Sequence, residues 1–477
     1  MSRCVRFLPC ALLFLLAILL FHVNARSGGS PPSAGAAASF GRIQHVVIIF
    51  QENRTPDNLF QDEILIGRGA DIAKVGVNSK GQPIPLGVID LGTNGTNPDN
   101  YDLSHTHKAF MNMYDGGKMD AADLVGVICA SGATNCPPED AQFKYVSQAD
   151  VKPYFDLAEQ YTFADRMFQT NQGPSYPAHM FIISGTSAPT ATSNSFVAEN
   201  PNPSAPTGCL ASATAYTKLI NPAGDESRTY PCFEHPTVTD LLDSREIMWR
   251  YYTPLAGYIW TPPNSIEHMC GPNAPPPHAT ACVGADWTGT DPKVSISKTQ
   301  VLTDIANGNL PPVSWVIPTA LASDHAMVND GSGPSWVASI VNAIGNSPYW
   351  ADTAIFITWD DWGGWYDHVP PPKVLANCAQ WGCGYVYGFR VPLIVVSPYA
   401  KRRYISHVNH DFGSILRFIE ETFGLPSLGY ADTNALDDLS DCFNFYQPPF
   451  AFRTISAPLS ADYFLNDDRP ATDPDDD

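Results

Sequence analysis

Three short stretches hold the residues with chemical potential. Ser175 sits in Gln172-Gly173-Pro174-Ser175-Tyr176-Pro177-Ala178-His179, a hydroxyl on a stiff Pro/Gly turn ahead of the small, apolar run Met180–Gly185. If that run is a helix, its N-terminus offers free N–H groups and a positive dipole to an anion. Glu52-Asn53 and Asp360-Asp361 each follow a β-branched, apolar run that reads as a buried parallel strand. In a parallel sheet both ends project from one edge, where open α/β sheets place their sites. Three carboxylates gathered there repel one another unless a cation sits between them. An oxygen-only ligand set of Glu52, Asn53, Ser175, Asp360 and Asp361 suits one divalent ion, Mg²⁺, Ca²⁺ or Mn²⁺ before a thiolate-type Zn²⁺ site. A serine beside that ion becomes a nucleophile and a phosphoryl acceptor, and His105 and His325 are placed to assist a leaving oxygen.

The elements that must position these groups are legible along the chain. Ile43–Phe50, Tyr161–Asp165, Pro312–Pro318, Thr353–Trp359 and Val391–Ser397 read as strands. Helices are expected over 148–161, 335–344 and 411–423, the last with Phe412, Ile415, Leu416, Ile419 and Phe423 on one face. Strands alternating with helices predict an α/β fold with a mainly parallel central sheet and helices on both faces. Residues 188–300 are dense in Pro, Asn, Thr and Cys and read as a loop-rich cap insertion, with a short helix at 237–242 and a strand-like run at 247–252 inside it. The aromatic segment from Tyr251 to Trp260 is either an apolar path to the site or a packed strand or cap.

Composition narrows the function. The chain has 477 residues and a formal net charge of −21, and its densest basic run is Lys401-Arg402-Arg403, so backbone-tracking binding of nucleic acid is not expected. Residues 1–25 read as a secretory signal, with Arg3 and Arg6 before the apolar Leu8–Phe21, followed by a flexible leader over 26–41. No later run is apolar enough to span a membrane, so the expected location is secreted or periplasmic. Cysteines then read as local disulfides: Cys129 with Cys136, Cys209 with Cys232, Cys270 with Cys282, Cys378 with Cys383, and Cys442 left over. The catalytic domain is expected over 42–460, and the acidic tail over 461–477 is expected to be disordered.

Taken in order, the motifs resemble the bacterial and fungal phosphoesterase family, which includes phospholipases C and a group of acid phosphatases within the alkaline phosphatase superfamily. The resemblance rests on Gln51–Phe60, Gly117-Lys118-Met119-Asp120, Gly173-Pro174-Ser175, Leu310–Trp315, Ser323-Asp324-His325, Asp360–Pro372, Arg390–Pro398 and Ser414–Glu420, spread over residues 42 to 443. It implies an alkaline phosphatase-like fold, Glu52-Asn53 and Asp360-Asp361 as metal pairs, Ser175 as nucleophile, and His105 and His325 as active-site histidines. His179 and His368 are expected to contact substrate, with support of the fold the alternative for His368 and Asp367. Relatives of the phospholipase type often carry Thr as nucleophile and Pro-Asn-Arg after it. Here Ser175 and Pro177-Ala178-His179 stand instead, which tilts the expectation to a secreted phosphomonoesterase of the acid phosphatase type. A phospholipase C is the alternative, and a non-catalytic binding protein of the same fold the second alternative.

Overall fold

The computed structural model describes residues 41–92, 101–374 and 384–473. The β-branched runs assemble into one nine-stranded sheet. Its strands are β1 (His45–Gln51), β2 (Thr162–Phe168), β3 (Trp249–Thr253), β4 (Val294–Ile296), β5 (Val313–Val316), β6 (Thr353–Trp359), β7 (Arg390–Val396), β8 (Tyr404–Ser406) and β9 (His410–Asp411). The order is β4-β3-β5-β1-β6-β7-β2-β8, with β9 also on β2. Neighbours run parallel except at β7, which is antiparallel to both β6 and β2. β1 and β6 lie at the centre and are buried along almost their whole length, as unbroken Val/Ile/Phe runs require.

Two helix pairs pack against this sheet: Lys152–Gln160 with Gly333–Gly345, and Ser175–Ser184 with Phe412–Phe423. The last of these starts where the Asp411 carboxylate accepts from the N–H groups of Gly413 and Ser414, and stops at Gly424, whose φ of 63° suits glycine. Its buried face is Phe412, Ile415, Leu416, Phe418 and Ile419, close to the expected stripe.

Two expectations are corrected. Residues 188–300 do not form a cap set apart from the sheet along their length. They contribute β3 and β4 to the central sheet, and only Phe196–Val197, Thr217–Ile220 and Glu226–Thr229 make a small sheet of their own. Strands three to five residues long between proline-rich loops carry too little periodicity to reveal a partner. The tail is ordered over its described part: Ala461–Leu465 is helical, Phe464 packs on Trp336, and Arg469 pairs with Asp330 at 2.8 Å. Acidic composition masked one aromatic anchor. Disulfides join Cys129–Cys136, Cys209–Cys232 and Cys270–Cys282, while Cys442 is buried and free. Cys378 and Cys383, the signal and leader residues 1–40, and the last four residues lie outside the described residues. Among the described residues no helix is long and apolar enough to cross a membrane.

The loops at the site edge are tied to the sheet by a buried arginine. Arg390 opens β7 and is fully buried. Its Nε donates to Asp367, Nη2 to Asp367 and Asp57, and Nη1 to the carbonyls of Asp71 and Asp165. His368 belongs to the same knot, with Nδ1 2.7 Å from Asp57 Oδ2 and Nε2 3.0 Å from Asp71 Oδ1. Both ring nitrogens thus face carboxylates of this knot, which places His368 apart from the Glu52, Asp360 and Asp361 contacts. Burial alone would lower its pKa, but the hydrogen bond and charge of Asp57 raise it to about 9.

Replacing Arg390 with Met leaves buried Asp367 without its cation and Asp57 with only His368, and is expected to cost about 3–5 kcal/mol in denaturant unfolding. His368→Gln is expected to cost on the order of 2 kcal/mol below pH 6.5, where the raised pKa is fully expressed. That difference should fade as pH rises through 9, and a pH series of melting temperatures measures it.

Candidate active site

β1 and β6 are adjacent and in register, with Gln51 opposite Trp359. Glu52 and Asp360 therefore leave the sheet side by side. Asn53 then turns through φ 64°, a left-handed conformation that asparagine tolerates better than most residues. The turn aims its N–H at Asp360 Oδ1, 3.0 Å away. Gly363, at φ 61°, passes so close that a Cβ there would sit 2.4 Å from Asn53 O, so no larger residue fits. Its N–H donates to Asp361 Oδ1 at 2.7 Å.

Ser175 is the first residue of the helix Ser175–Ser184, with Pro174 extended at the cap. All ten residues of this helix are buried, which accounts for its apolar character on every side. Ser175 Oγ donates to Asp361 Oδ2 at 3.2 Å. His179 lies four residues on, one turn along the same face. Its Nε2 is 3.2 Å from Glu52 Oε1 and 3.8 Å from Asp360 Oδ2.

Opposite these groups stand two histidines with rings 5.8 Å apart. His105 Nδ1 donates to Leu103 O at 2.9 Å, a tautomer that leaves Nε2 to accept from Asn53 Nδ2 at 3.4 Å. His325 Nδ1 donates to Ala326 O at 2.8 Å. Behind it, Asp324 accepts from Tyr154 Oη and Trp359 Nε1, each at 2.9 Å, and its carbonyl receives Nε and Nη2 of the buried Arg54. Burial pushes the Asp324 carboxyl up to about 6. A cavity of about 320 Å³ borders the nucleophile turn at Asn171 and Gln172, walled by Phe110, Tyr114, Phe196 and Tyr385.

The structure thus brings Glu52, Asn53, Ser175, Asp360, Asp361, His105 and His325 into one contact network. It moves His179 from the substrate side to the carboxylates, and it leaves His368 in the Arg390 knot. Asp324 and its supports Arg54, Tyr154 and Trp359 were missed as site scaffolding. Only the Gln-Glu-Asn-Arg and Ser-Asp-His blocks hinted at them, since pairing across the chain has no local signal.

Electrostatics point to a cation. Burial, then the charge of Asp360, raises Glu52 well above the carboxylate range, and the same two causes raise Asp361. Burial lowers His179 to about 4, so its imidazole is neutral. Three buried oxygens, Glu52 Oε2, Asn53 Oδ1 and Asp360 Oδ2, have no hydrogen-bond donor. Glu52, His179 and Asp360 offer ligand atoms all within 4.8 Å of one another. Orphaned acceptors beside a neutral imidazole fit a divalent ion. The His179 nitrogen among these atoms adds a donor to the oxygen-only set expected from the sequence.

Against known proteins, the phosphoesterase family model matches residues 43–426. The chain belongs to the phosphoesterase family. A non-hemolytic phospholipase C of Pseudomonas aeruginosa is 24% identical over 85% of this chain and 58% of its own. Another from Burkholderia pseudomallei is 24% identical over 91% and 63%. This chain therefore spans about three fifths of the length of those two relatives. Phospholipase C B of Mycobacterium tuberculosis is 26% identical over 85% of this chain and 78% of its own. Among solved structures, a protein in the alkaline phosphatase superfamily from Vibrio parahaemolyticus aligns with 82% of this chain and 70% of its own, at 10% identity and a TM-score of 0.34.

Metal-free protein carries the raised carboxyls as a burden that grows as they ionise, so its melting temperature should fall as pH rises from about 5 to 8. Adding Mn²⁺, Zn²⁺, Mg²⁺ or Ca²⁺ after chelation should raise it by a few degrees, more at pH 8 than at pH 5. Thermal melts of the metal-free protein with each ion check this, and Asp360→Asn should abolish the shift.

Proposed function

We propose that this chain hydrolyses phosphoester bonds through a phosphoserine on Ser175 and that its substrates are phospholipids. The observation carrying the chemistry is the Ser175 hydroxyl bonded to Asp361 at 3.2 Å beside three buried oxygens with no donor. The phospholipid reading is supported by the relatives named phospholipases C, and by the aromatic-walled cavity at the nucleophile turn, which offers room for an apolar group. It displaces the acid phosphatase expectation. A secreted or periplasmic location is part of the reading, and three disulfides agree with it.

A divalent ion held by Glu52, Asn53, His179, Asp360 and Asp361 would neutralise phosphoryl charge and lower the serine pKa. Asp361 takes the Ser175 proton as Oγ attacks phosphorus. The P–O bond to the leaving alcohol breaks, and His105 or His325, entering this step protonated on Nε2, supplies that alcohol with its proton. Water then attacks phosphorus and gives its proton to the same histidine, the P–Oγ bond breaks, and Asp361 returns its proton to Ser175 Oγ. The helix N-terminus behind Ser175 adds its positive end to the oxygens that gain charge.

One observation favours a phosphomonoesterase instead: serine rather than threonine at the nucleophile position. The non-catalytic reading expects loss of the nucleophile or of an acidic pair, and all are present.

Hydrolysis of p-nitrophenyl phosphorylcholine should exceed that of p-nitrophenyl phosphate. Ser175→Ala should lower kcat on the order of 10³-fold or more, and chelation should suppress turnover reversibly. Preference for the monoester would move the assignment to a phosphatase. Turnover undiminished in Ser175→Ala would sink the phosphoserine.

A further inference from the structure

Two buried donors flank the site without a partner. Tyr258 and Trp260 follow β3 and are fully buried, yet Tyr258 Oη and Trp260 Nε1 make no hydrogen bond. Unpaired buried polar groups are uncommon, and each one asks for a reason. Several other indoles of this chain also lack partners, among them Trp336 and Trp365. Trp362, whose ring lies 6.3 Å from His105, is another; Trp260 differs in meeting two site histidines. Its ring lies 6.2 Å from His179 and nearly parallel to it, and 6.1 Å from His325. It thus spans from the carboxylate side of the site to the histidine side. Tyr258 meets Trp260 edge-on at 5.0 Å. Its phenol feels the charge of Glu52, which adds to the effect of burial in raising its pKa.

Slack in the loop does not explain the missing partners. Tyr251 Oη donates to Trp260 O at 2.8 Å, Gly257 N to Asn264 Oδ1 at 2.9 Å, and Thr261 Oγ1 to Leu255 O at 3.0 Å. The loop satisfies its other polar groups while the two donors stay open. An indole N–H only donates, and a phenol at neutral pH keeps its proton. What both can serve is a group with several acceptor oxygens and no proton to give, which describes the nonbridging oxygens of a phosphoryl group.

We propose that Tyr258 and Trp260 are phosphoryl-oxygen donors of this site, held unpaired in the free protein so that they bond the substrate as charge develops on its oxygens. This rests on the phosphoester reading above. Such donors act on kcat more than on KM, because the bond strengthens in the transition state. Tyr258 also leaves a mark on stability, since removing its unpaired oxygen while keeping the ring costs the fold nothing.

The test uses Tyr258→Phe and Trp260→Phe in the full chain, with Trp336→Phe as a control. Trp336 is an unpaired indole packed on Phe464 at the C-terminal helix. On whichever p-nitrophenyl ester the wild type turns over, each site variant should lose on the order of tenfold to a hundredfold in kcat, with KM changed less than about threefold. The melting temperature of Tyr258→Phe should stay level or rise, whereas Trp260→Phe, which empties part of a buried ring's volume, should melt lower. Inorganic vanadate, titrated by calorimetry, should bind each site variant about tenfold or more weakly than wild type, and Trp336→Phe should change neither readout. Site variants with wild-type kcat and vanadate affinity overturn the proposal while the phosphoester reading stands. Wild type that binds vanadate but turns over no ester, with weakened binding in the variants, upholds the donors and sinks the reading. Wild type that neither binds nor turns over removes both. If Trp260→Phe does not fold, Tyr258→Phe, which deletes one oxygen, decides alone.

Discussion

Like charges forced together in a dry place dominate this molecule. Glu52, Asp360 and Asp361 leave the ends of two adjacent strands with no exposure to water, and Asp324 adds a fourth buried acid close enough to raise Glu52 further. At low dielectric such repulsion is far stronger than at a surface. Much of the surrounding geometry answers it. Asn53 adopts a left-handed backbone to give Asp360 an N–H, Gly363 does the same for Asp361, and Ser175 contributes its hydroxyl. Three acceptors remain over, and together they offer a place that a cation would fit.

The Arg390 knot makes an instructive contrast a few residues away. Asp57, Asp367 and His368 also cluster within ligand distance of one another. There the positive charge is built into the chain as a guanidinium with every N–H group bonded, and His368 has a carboxylate on each ring nitrogen. Residue types alone do not separate the two clusters. The count of unmet hydrogen bonds does: none is left on the knot's side chains, and several are left at the site.

This contrast explains what could be read in the residues. β1, β6 and the amphipathic helix over 412–423 announce themselves because burial writes an unbroken or a 3.6-residue pattern. The acidic pairs follow, since their place is the end of a visible strand. His368 and His179 were assigned to substrate because a histidine in a motif looks alike whether it meets a carboxylate, a metal or a ligand. β3 shows as the strand-like run at 247–252 without its place in the central sheet, β4 is hidden among prolines and short runs, and the docking of residues 461–473 rests on Phe464 and Arg469 among acids. Each of these depends on a partner distant in the chain, for which no local spacing stands proxy.

β7 runs against its neighbours, pairing Leu393 with Thr358 and Val396 with Ile355. Its far end therefore emerges beside the beginnings of β1 and β6, not their ends. Lys401-Arg402-Arg403, the densest cluster of positive charge, follows directly from that end. One reversed strand therefore places this basic run at the edge of the sheet opposite to Glu52 and Asp360. The turn that carries this basic run is thereby kept an entire strand length from the carboxylates that follow β1 and β6.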